Sequence, residues 1–586
     1  MQLRKITGRD KVTWVYIVEA YRDEDGRAKQ RTVESLGRLD AMLAKDPRAW
    51  ENAQARCAEL TAAKKATRGR IEYDTAEPWD GQSAVNVGWL LVDAVLRRLG
   101  VVQVARAGRG RNGATTGIDV ASLTRLLVAS RVAWPGSKLK AWERQHRLLL
   151  GPRVEALGDV YQGLDDVAGL ACQFQSAART GLGSAAASLG AVDYDVTNYF
   201  FHIDAADPEP LGKTGSRGQA SRQKGYSKEH RPDPIIQMGL FLDVEGIPVS
   251  YRLFDGNMPD MSTMTTALTE FKTMFTPGRI IVVADKGLNT GPNLIELTDR
   301  HDGWIVAASH RKDRDTRDWL LDETGWTWNE DGTRRHKSRI VTHTITALVN
   351  KTRRSVEVTE KYVASWSRDA EAKDRATRAD LLAKTEKLTG DEAAYRAGGK
   401  RGPRKYILAE TVDPATGELT TKKPTNLSIN QSLVDQEALL DGHHLIRTTE
   451  TGLDDQTILD RYHQLWQIEH AFRVSKTDLD ARPVYVHLRQ HIEAHFLTCF
   501  LALLVTRLLQ RLTGLPSSQL VTAIRSFQAM PCADGVYRVQ RPGWDLIDHA
   551  TGVPLNQTWA TIDQLRAWAT TLTTTIKTHP LHDTNT

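Results

Sequence analysis

Apolar and polar side chains alternate through VTWVYIVEAYR, break at DEDG and resume in RTVESLG, so residues 1–40 predict an N-terminal β-hairpin. From Ala41 to about Leu189 the repeat lengthens to helical spacing, as in WLLVDAVLRRLGVVQVA and ASLTRLLVASRVAWPG, with Gly and Pro marking the breaks. Strand alternation returns at AVDYDVTNYFFHI. PIIQMGLFLDVEG and IPVSYRLFDGN follow as two strands joined by a short turn. A helix (MSTMTTALTEFKTMF), a buried strand (RIIVVAD), a helix (NLIELTDR) and another strand (GWIVAAS) complete the order β-β-β-α-β-α-β over 190–310. Right-handed crossovers then place the fourth strand beside the first in a mixed sheet. Residues 311–445 carry strand-like pieces (RIVTHTITALV, RSVEVTEKYVASW, RKYILAETV) and one charged helical excursion, and read as a β-rich insertion domain. Helical spacing resumes at TILDRYHQLWQIEHAFRVSK, which takes 446–514 back to the core, and 515–586 form a C-terminal tail region.

The expected fold class is therefore α/β. A ribonuclease H-like mixed-sheet core is interrupted by the β-rich insertion and preceded by a helical N-terminal region over 41–189. Composition changes this picture little. A chain of 586 residues is too long for one core and suits two to four domains, and 40% hydrophobic with 26% charged residues is ordinary for a globular protein. A net charge of +6 and pI near 8.9 permit an anionic partner without demanding one. Cys57, Cys172, Cys499 and Cys532 are scattered, with no CxxC, which argues against a disulfide framework or a zinc module and for a reducing compartment. The N-terminus lacks the apolar run of a signal peptide. The longest apolar run, HFLTCFLALLVTRLL, falls short of a membrane span and reads as a buried helix.

Chemistry enters with three carboxylates. In YHQLWQIEHAFRVSK, Tyr462, Leu465, Glu469, Phe472 and Lys476 fall at steps of three and four, so one helix face would put Glu469 in an apolar stripe. A lone carboxylate is costly to bury, and the competing reading is a Glu469–Arg473 pair at i,i+4 on a solvated flank. Asp195 lies mid-strand, where aspartate is disfavoured, and Asp285 ends RIIVVAD just before a glycine. In the predicted topology these strands are neighbours, and the two carboxylates approach at the sheet's switch point. Asp285 alone could merely cap the next helix, and Asp193 competes with Asp195 for the same face. Two aspartates and a glutamate form an oxygen-rich site for Mg²⁺ or Mn²⁺, and a pair of such ions about 4 Å apart suits phosphoryl transfer.

The pattern resembles the DDE transposases of bacterial insertion sequences, in the group with a β-strand insertion domain and the YxxRxxxExxxxxxK signature on the catalytic helix. The resemblance rests on Tyr462, Glu469 and Lys476, and on YDVTNYFF, GYSKEHRPD, GIPVSYRLFDGNMPD, VVADKGL, IEHAFRVSK and RPVYVHLRQHIEAHFLTCFLAL in order. It covers about 190–510, and YRDEDGRAKQRTVESLG near the N-terminus also fits. Asp195 and Asp285 are 90 residues apart and Asp285 and Glu469 are 184 apart; the insertion accounts for the second, larger interval.

The resemblance implies metal-dependent cleavage at transposon ends and strand transfer into target DNA. Asp195, Asp285 and Glu469 would be the catalytic metal ligands, with two Mg²⁺ or Mn²⁺ ions. It implies double-stranded DNA as partner (terminal inverted repeats and target), a homodimer on DNA, no membrane, and a bacterial cytoplasmic, nucleoid-associated location. The helical region 41–189 would serve DNA binding or dimerisation. Tyr462 and Lys476 resemble DNA-end contacts; Leu465 replaces the motif arginine, and Arg473 is placed to compensate. The basic loop with Lys213, Arg217, Arg222, Lys224, Lys228 and Arg231 would contact DNA. Trp319, Trp326 and Trp328 are stacking candidates, with cross-strand packing as the competing reading. His487, His491 and His495 repeat every fourth residue, which favours helix packing over a metal cluster. The alternatives are a catalytically inactive transposase-derived DNA-binding protein and a nuclease of this fold without strand transfer.

Overall fold

The stretch TWVYIVEAYR forms β2 (Thr13–Arg22), flanked by β1 (Gln2–Thr7) and β3 (Ala28–Arg38), both antiparallel to it. The sequence predicts two of these strands; β1 escapes because nearly all its side chains are exposed, so it carries no burial rhythm. The computed structural model describes residues 1–8, 11–22, 28–66, 84–107, 117–183, 189–208, 221–226, 231–309, 313–397, 402–412, 419–420, 426–532 and 535–579. With α1 (Leu39–Lys45) and α2 (Ala49–Ala66), the three-stranded sheet belongs to one compact unit, residues 1–84 with 529–540 and 555–565.

The second unit holds the rest. It begins with the two-residue strand β4 (Val85–Asn86) and the helices α3 (Trp89–Arg98), α4 (Val101–Ala107), α5 (Val120–Ala133), α6 (Lys138–Glu143), α7 (Leu157–Gly169) and α8 (Ala171–Gly181). There follow β5 (Ala191–Phe200), β6 (Ile235–Asp243), β7 (Pro248–Asp255), α9 (Thr263–Phe275), β8 (Ile281–Ala284), α10 (Gly291–Asp299) and β9 (Gly303–Ala307). The next stretch contains α11 (Arg314–Leu321), β10 (Thr327–Trp328), the long hairpin β11 (Arg334–Val349) and β12 (Thr352–Ser367), and α12 (Arg368–Thr389). It continues through α13 (Glu392–Ala397), β13 (Ile407–Val412), β14 (Leu419–Thr420), β15 (Asn426–Ile429) and α14 (Gln431–Ala438) to β16 (His443–Thr448). The helices α15 (Asp455–His463), α16 (Trp466–Thr477), α17 (Arg489–Thr513) and α18 (Ser517–Ser526) come next.

Among the described residues, nine strands form one mixed sheet in the order β10-β11-β12-β16-β9-β8-β5-β6-β7. β5, β6 and β7 are antiparallel neighbours, while β8 lies parallel to β5 and β9 parallel to β8. The strands β11 and β12 do not stand apart from this sheet, because β16 pairs with β9 on one side and β12 on the other. Strand periodicity sorts the faces. Val192, Tyr194, Val196, Val282 and Ala284 pack on one side with α9 and α10, while Val283 and Ile305 pack on the other with Ile458 and Leu459 of α15.

A fully buried carboxylate ties the added strands to the core. Glu360 of β12 accepts from Trp304 Nε1 of β9 at 2.6 Å and from Arg447 Nε of β16 at 2.8 Å, and lies 2.7 Å from His343 Nε2 of β11. The apolar run singled out above sits inside the 25-residue helix α17. By length and composition α17 could cross a membrane, which corrects the shorter span read from sequence, but 94% of its most apolar window is buried within the protein.

Candidate active site

Asp195 and Asp285 are brought side by side by the register of two parallel strands. Tyr194 of β5 pairs with Ala284 of β8, so the next residue on each strand is one of these aspartates. Both point to the face away from α9 and α10, because Asp285 shares the parity of Val283, and Asp195 that of Asp193 and Thr197. Asp285 is exposed, and its carboxylate accepts the Gly287 N–H at 2.8 Å in a tight turn. Asp195 is half-buried. Asp193 differs from Asp195 in being buried at 5% exposure, and burial holds its carboxyl up to about 7 despite the charge of Arg461. Asp195, half-buried, is therefore the more accessible of the two to a cation.

The helix expected over 462–476 is two helices. Between α15 and α16 the N–H groups of Leu465, Gln467 and Ile468 each donate to the carbonyl three residues back. This 3₁₀-like stretch turns about 20° more per residue than an α-helix, so three such steps rotate the face by about 60°. The single-face stripe is thereby corrected: Ile468, Ala471 and Phe472 are buried, and Glu469 comes out to the surface. No ion pair joins Glu469 to Arg473 among the described residues; Arg473 is exposed. Leu465 packs with Tyr462 against the cluster of Val283, Ile305 and Ile458, which explains an apolar residue at that position.

Two contacts lay α16 along β5. Lys476 Nζ donates to Thr197 Oγ1 at 2.8 Å, with its ammonium 5.3 Å from the Tyr199 ring, and the Tyr199 and Ser475 hydroxyls are 3.1 Å apart. Upstream, Arg461 acts electrostatically on Asp193. α16 therefore runs beside β5 while α15 packs over β8 and β9, and Glu469 falls between these points. Tyr462 links the carboxylates: burial first, then the charges of Asp285 and Glu469, push its phenol up to about 12. Among the described residues no three His, Cys, Asp or Glu side chains converge closely enough to hold a metal ion together. Thr197 is the site residue that sequence reading passed over; its signal was its place two residues beyond Asp195 on the same strand face.

The remaining candidates divide. Lys224 is exposed on a segment pinned to β6 by paired Gln223–Ile235 hydrogen bonds of 2.9 and 3.1 Å. Gly225 and Gly256 permit that close approach, since a Cβ on either would strike backbone. Arg231 is exposed, pairs with Asp233 at 2.9 Å and covers the Phe200 ring at 4.1 Å. Arg222 bonds Asp207 at 2.9 Å, and Lys213, Arg217 and Lys228 lie outside the described residues. The tryptophans form a cation-aromatic ladder: Arg335 lies 4.5 Å from the Trp326 ring and 5.1 Å from Trp328, and Arg339 lies 4.5 Å from Trp319. Trp326 donates to the Asp322 carbonyl at 3.0 Å, whereas Trp328 remains 49% exposed.

The histidines of α17 serve packing. His491 lies 3.5 Å from Asp165, and His495 is buried between the Ala481 carbonyl, 3.0 Å from Nε2, and Lys138 Nζ, 2.7 Å from Nδ1. Burial, then the charge of Arg131, pushes the Lys138 amine down to about 7 from its ordinary 10.5. Between those values the unfolded chain binds more protons than the folded one, so stability rises with pH across that window; below about 7 both states are protonated and the cost of the buried charge is undiminished. Urea unfolding should therefore show a gain of about 2 kcal/mol between pH 7 and pH 9, and Lys138→Met should flatten it.

Residues 205–505, a little over half the chain, match the family model described as the transposase DDE domain, and residues 3–72 match the IS1634 family transposase N-terminal domain. The chain is a DDE transposase of an insertion sequence. The matched DDE segment of the transposase contains Asp285 and Glu469 and begins ten residues after Asp195. No curated protein matches the transposase. Among solved structures it is similar to a piggyBac transposase in a synaptic complex with hairpin DNA, at 7% identity, over 85% of this chain and 82% of that one, with a TM-score of 0.31.

Proposed function

We propose that the transposase cleaves DNA at the ends of its element and joins the freed 3′ ends to target DNA, with Asp195, Asp285 and Glu469 as the catalytic carboxylates of a ribonuclease H-like core. The observation that carries this reading is the adjacency of Asp195 and Asp285 on the face covered by α15 and α16, with Tyr462 under the charge of both Asp285 and Glu469. The donor set fits a hard divalent cation: Mg²⁺ keeps several waters and needs only one or two carboxylates, so pairs of these side chains suffice without a three-ligand cage. Two bound Mg²⁺ or Mn²⁺ ions would supply an activated nucleophile and charge stabilisation at the scissile phosphate.

The protein's own part is to place that phosphate. Lys476, fixed by Thr197, presents an ammonium on the same helix as Glu469, and Tyr462 keeps its phenol protonated as a hydrogen-bond donor. Lys224, Arg231, Arg473 and the exposed Trp328 supply further DNA contacts, and two protomers hold two ends.

Purified protein incubated with oligonucleotides bearing its element's ends and Mg²⁺ or Mn²⁺ should give nicked products and then joined ones. Severed products that never join would identify a nuclease. Binding without any cleavage would identify an inactive derivative.

A further inference from the structure

Beyond the C-terminus of α16 lies a cleft of about 500 Å³ that none of the candidate residues above lines. Its walls come from the end of α5 (Trp134), the turn after α6 (Arg144), the end of α16 with the following loop (Asp478, Asp480), and α18 (Ser518, Arg525). The volume is that of a small-molecule site rather than a packing defect.

Several of the N–H groups lining it have no hydrogen-bond partner among the described residues. The Arg525 Nε is buried with no hydrogen-bond partner among the described residues, and burial pushes its guanidinium below the ordinary value against the opposing charges of Asp478 and Asp480. The guanidinium of Arg144 and the indole N–H of Trp134 likewise have no partner among the described residues. Asp478 is held by the Ser517 hydroxyl at 2.7 Å, and Asp480 has a left-handed backbone at φ 52° and an exposed side chain.

Two arginines alone would suit any oxyanion, but two carboxylates in the same cleft oppose a bare phosphate. A nucleotide reconciles them. Its phosphate meets the guanidiniums, its base lies on the indole, and its exocyclic amino group donates to a carboxylate. The position agrees: Thr477 is eight residues from Glu469, about 12 Å along the helix, or three to four nucleotides at B-form rise. We propose that this cleft takes one unpaired nucleotide of the DNA strand that passes the catalytic carboxylates, with Trp134 as stacking wall and Arg144 and Arg525 on its phosphate. The inference rests on the transposase reading above.

The probe is a fluorescein-labelled single-stranded DNA oligonucleotide, titrated by anisotropy into the full-length protein with EDTA present, at several salt concentrations. Trp134→Ala should weaken binding about tenfold, and Trp134→Phe should recover most of it. The double variant Arg144→Ala with Arg525→Ala should lower the slope of log affinity against log salt by about 0.7 for the phosphate lost. Wild-type affinity and slope in these variants would overturn the proposal, as would a Phe variant as weak as the Ala variant, which marks a structural role. Metal-dependent cleavage by the wild type, run in parallel, separates the two failures. Unaffected variants with cleavage intact remove the cleft alone, and a wild type that neither binds nor cleaves DNA removes both readings.

Discussion

Changing Asp195→Asn, Asp285→Asn or Glu469→Gln, one at a time, should lower metal-dependent strand cleavage at least about a thousandfold, equivalent to about 4 kcal/mol of transition-state stabilisation. Each change keeps the side chain's shape and removes the charge that a divalent cation requires. Folding should be little affected, because Asp285 and Glu469 are exposed and Asp195 only half-buried. DNA binding in EDTA should stay within a few-fold of wild type, which separates lost chemistry from lost recognition. Double replacements should be no worse than single ones, since residues acting as one unit are not additive. Asp193→Asn is the internal control on the same strand face. Its carboxyl is buried rather than open to the site, so the amide should leave cleavage within about tenfold. Gel assays of nicked end DNA decide the matter: if Asp193→Asn abolishes cleavage and Asp195→Asn spares it, the strand's carboxylate has been assigned to the wrong residue.

Much of this site could be read from the chain because its parts obey short-range periodicities. Period-two alternation located β5 and β8, and the crossover rule made them neighbours, so the adjacency of Asp195 and Asp285 needed no coordinates. The reason for singling out Glu469 is one the structure revises. An unbroken helix would have buried it, whereas the tightened turn at Leu465–Ile468 brings it to the surface. Nothing in QLWQI announces that turn: no Gly or Pro marks it, and the backbone of Leu465 stays in the right-handed helical region. The strands after residue 311 were equally visible, but their pairing was not. That β16 would pair with β9 depends on partners more than 130 residues apart, and local pattern carries no information about such closure. The cleft behind Trp134 gathers residues from four separate segments, so no spacing rule could have assembled it.

The joint between the core sheet and its added strands is where a single substitution should cost the most stability. Glu360→Ala leaves Arg447 without its carboxylate and Trp304 without its acceptor, in a place where the glutamate side chain is wholly excluded from solvent. Removing one partner of a buried charge pair costs about 3–5 kcal/mol, because the partner left behind remains desolvated and unpaired. His343, which also meets Glu360 at 2.7 Å, is part-exposed and can turn to water, so it adds little to that loss. The double variant Glu360→Met with Arg447→Met removes both charges and should recover much of the stability, since an apolar replacement of a buried pair is often neutral. Chemical denaturation followed by tryptophan fluorescence provides the measurement; a Glu360→Ala protein within about 1 kcal/mol of wild type would show that the network is not what holds the joint. The consequence reaches the active site through the chain itself. β16 carries Arg447, and six residues separate its end from α15, the helix that sets Tyr462 and, beyond the tightened turn, Glu469. Glu360→Ala should therefore lower cleavage even at temperatures where the protein stays folded, and Glu360→Gln, which keeps an acceptor for the Trp304 N–H, should lower it less.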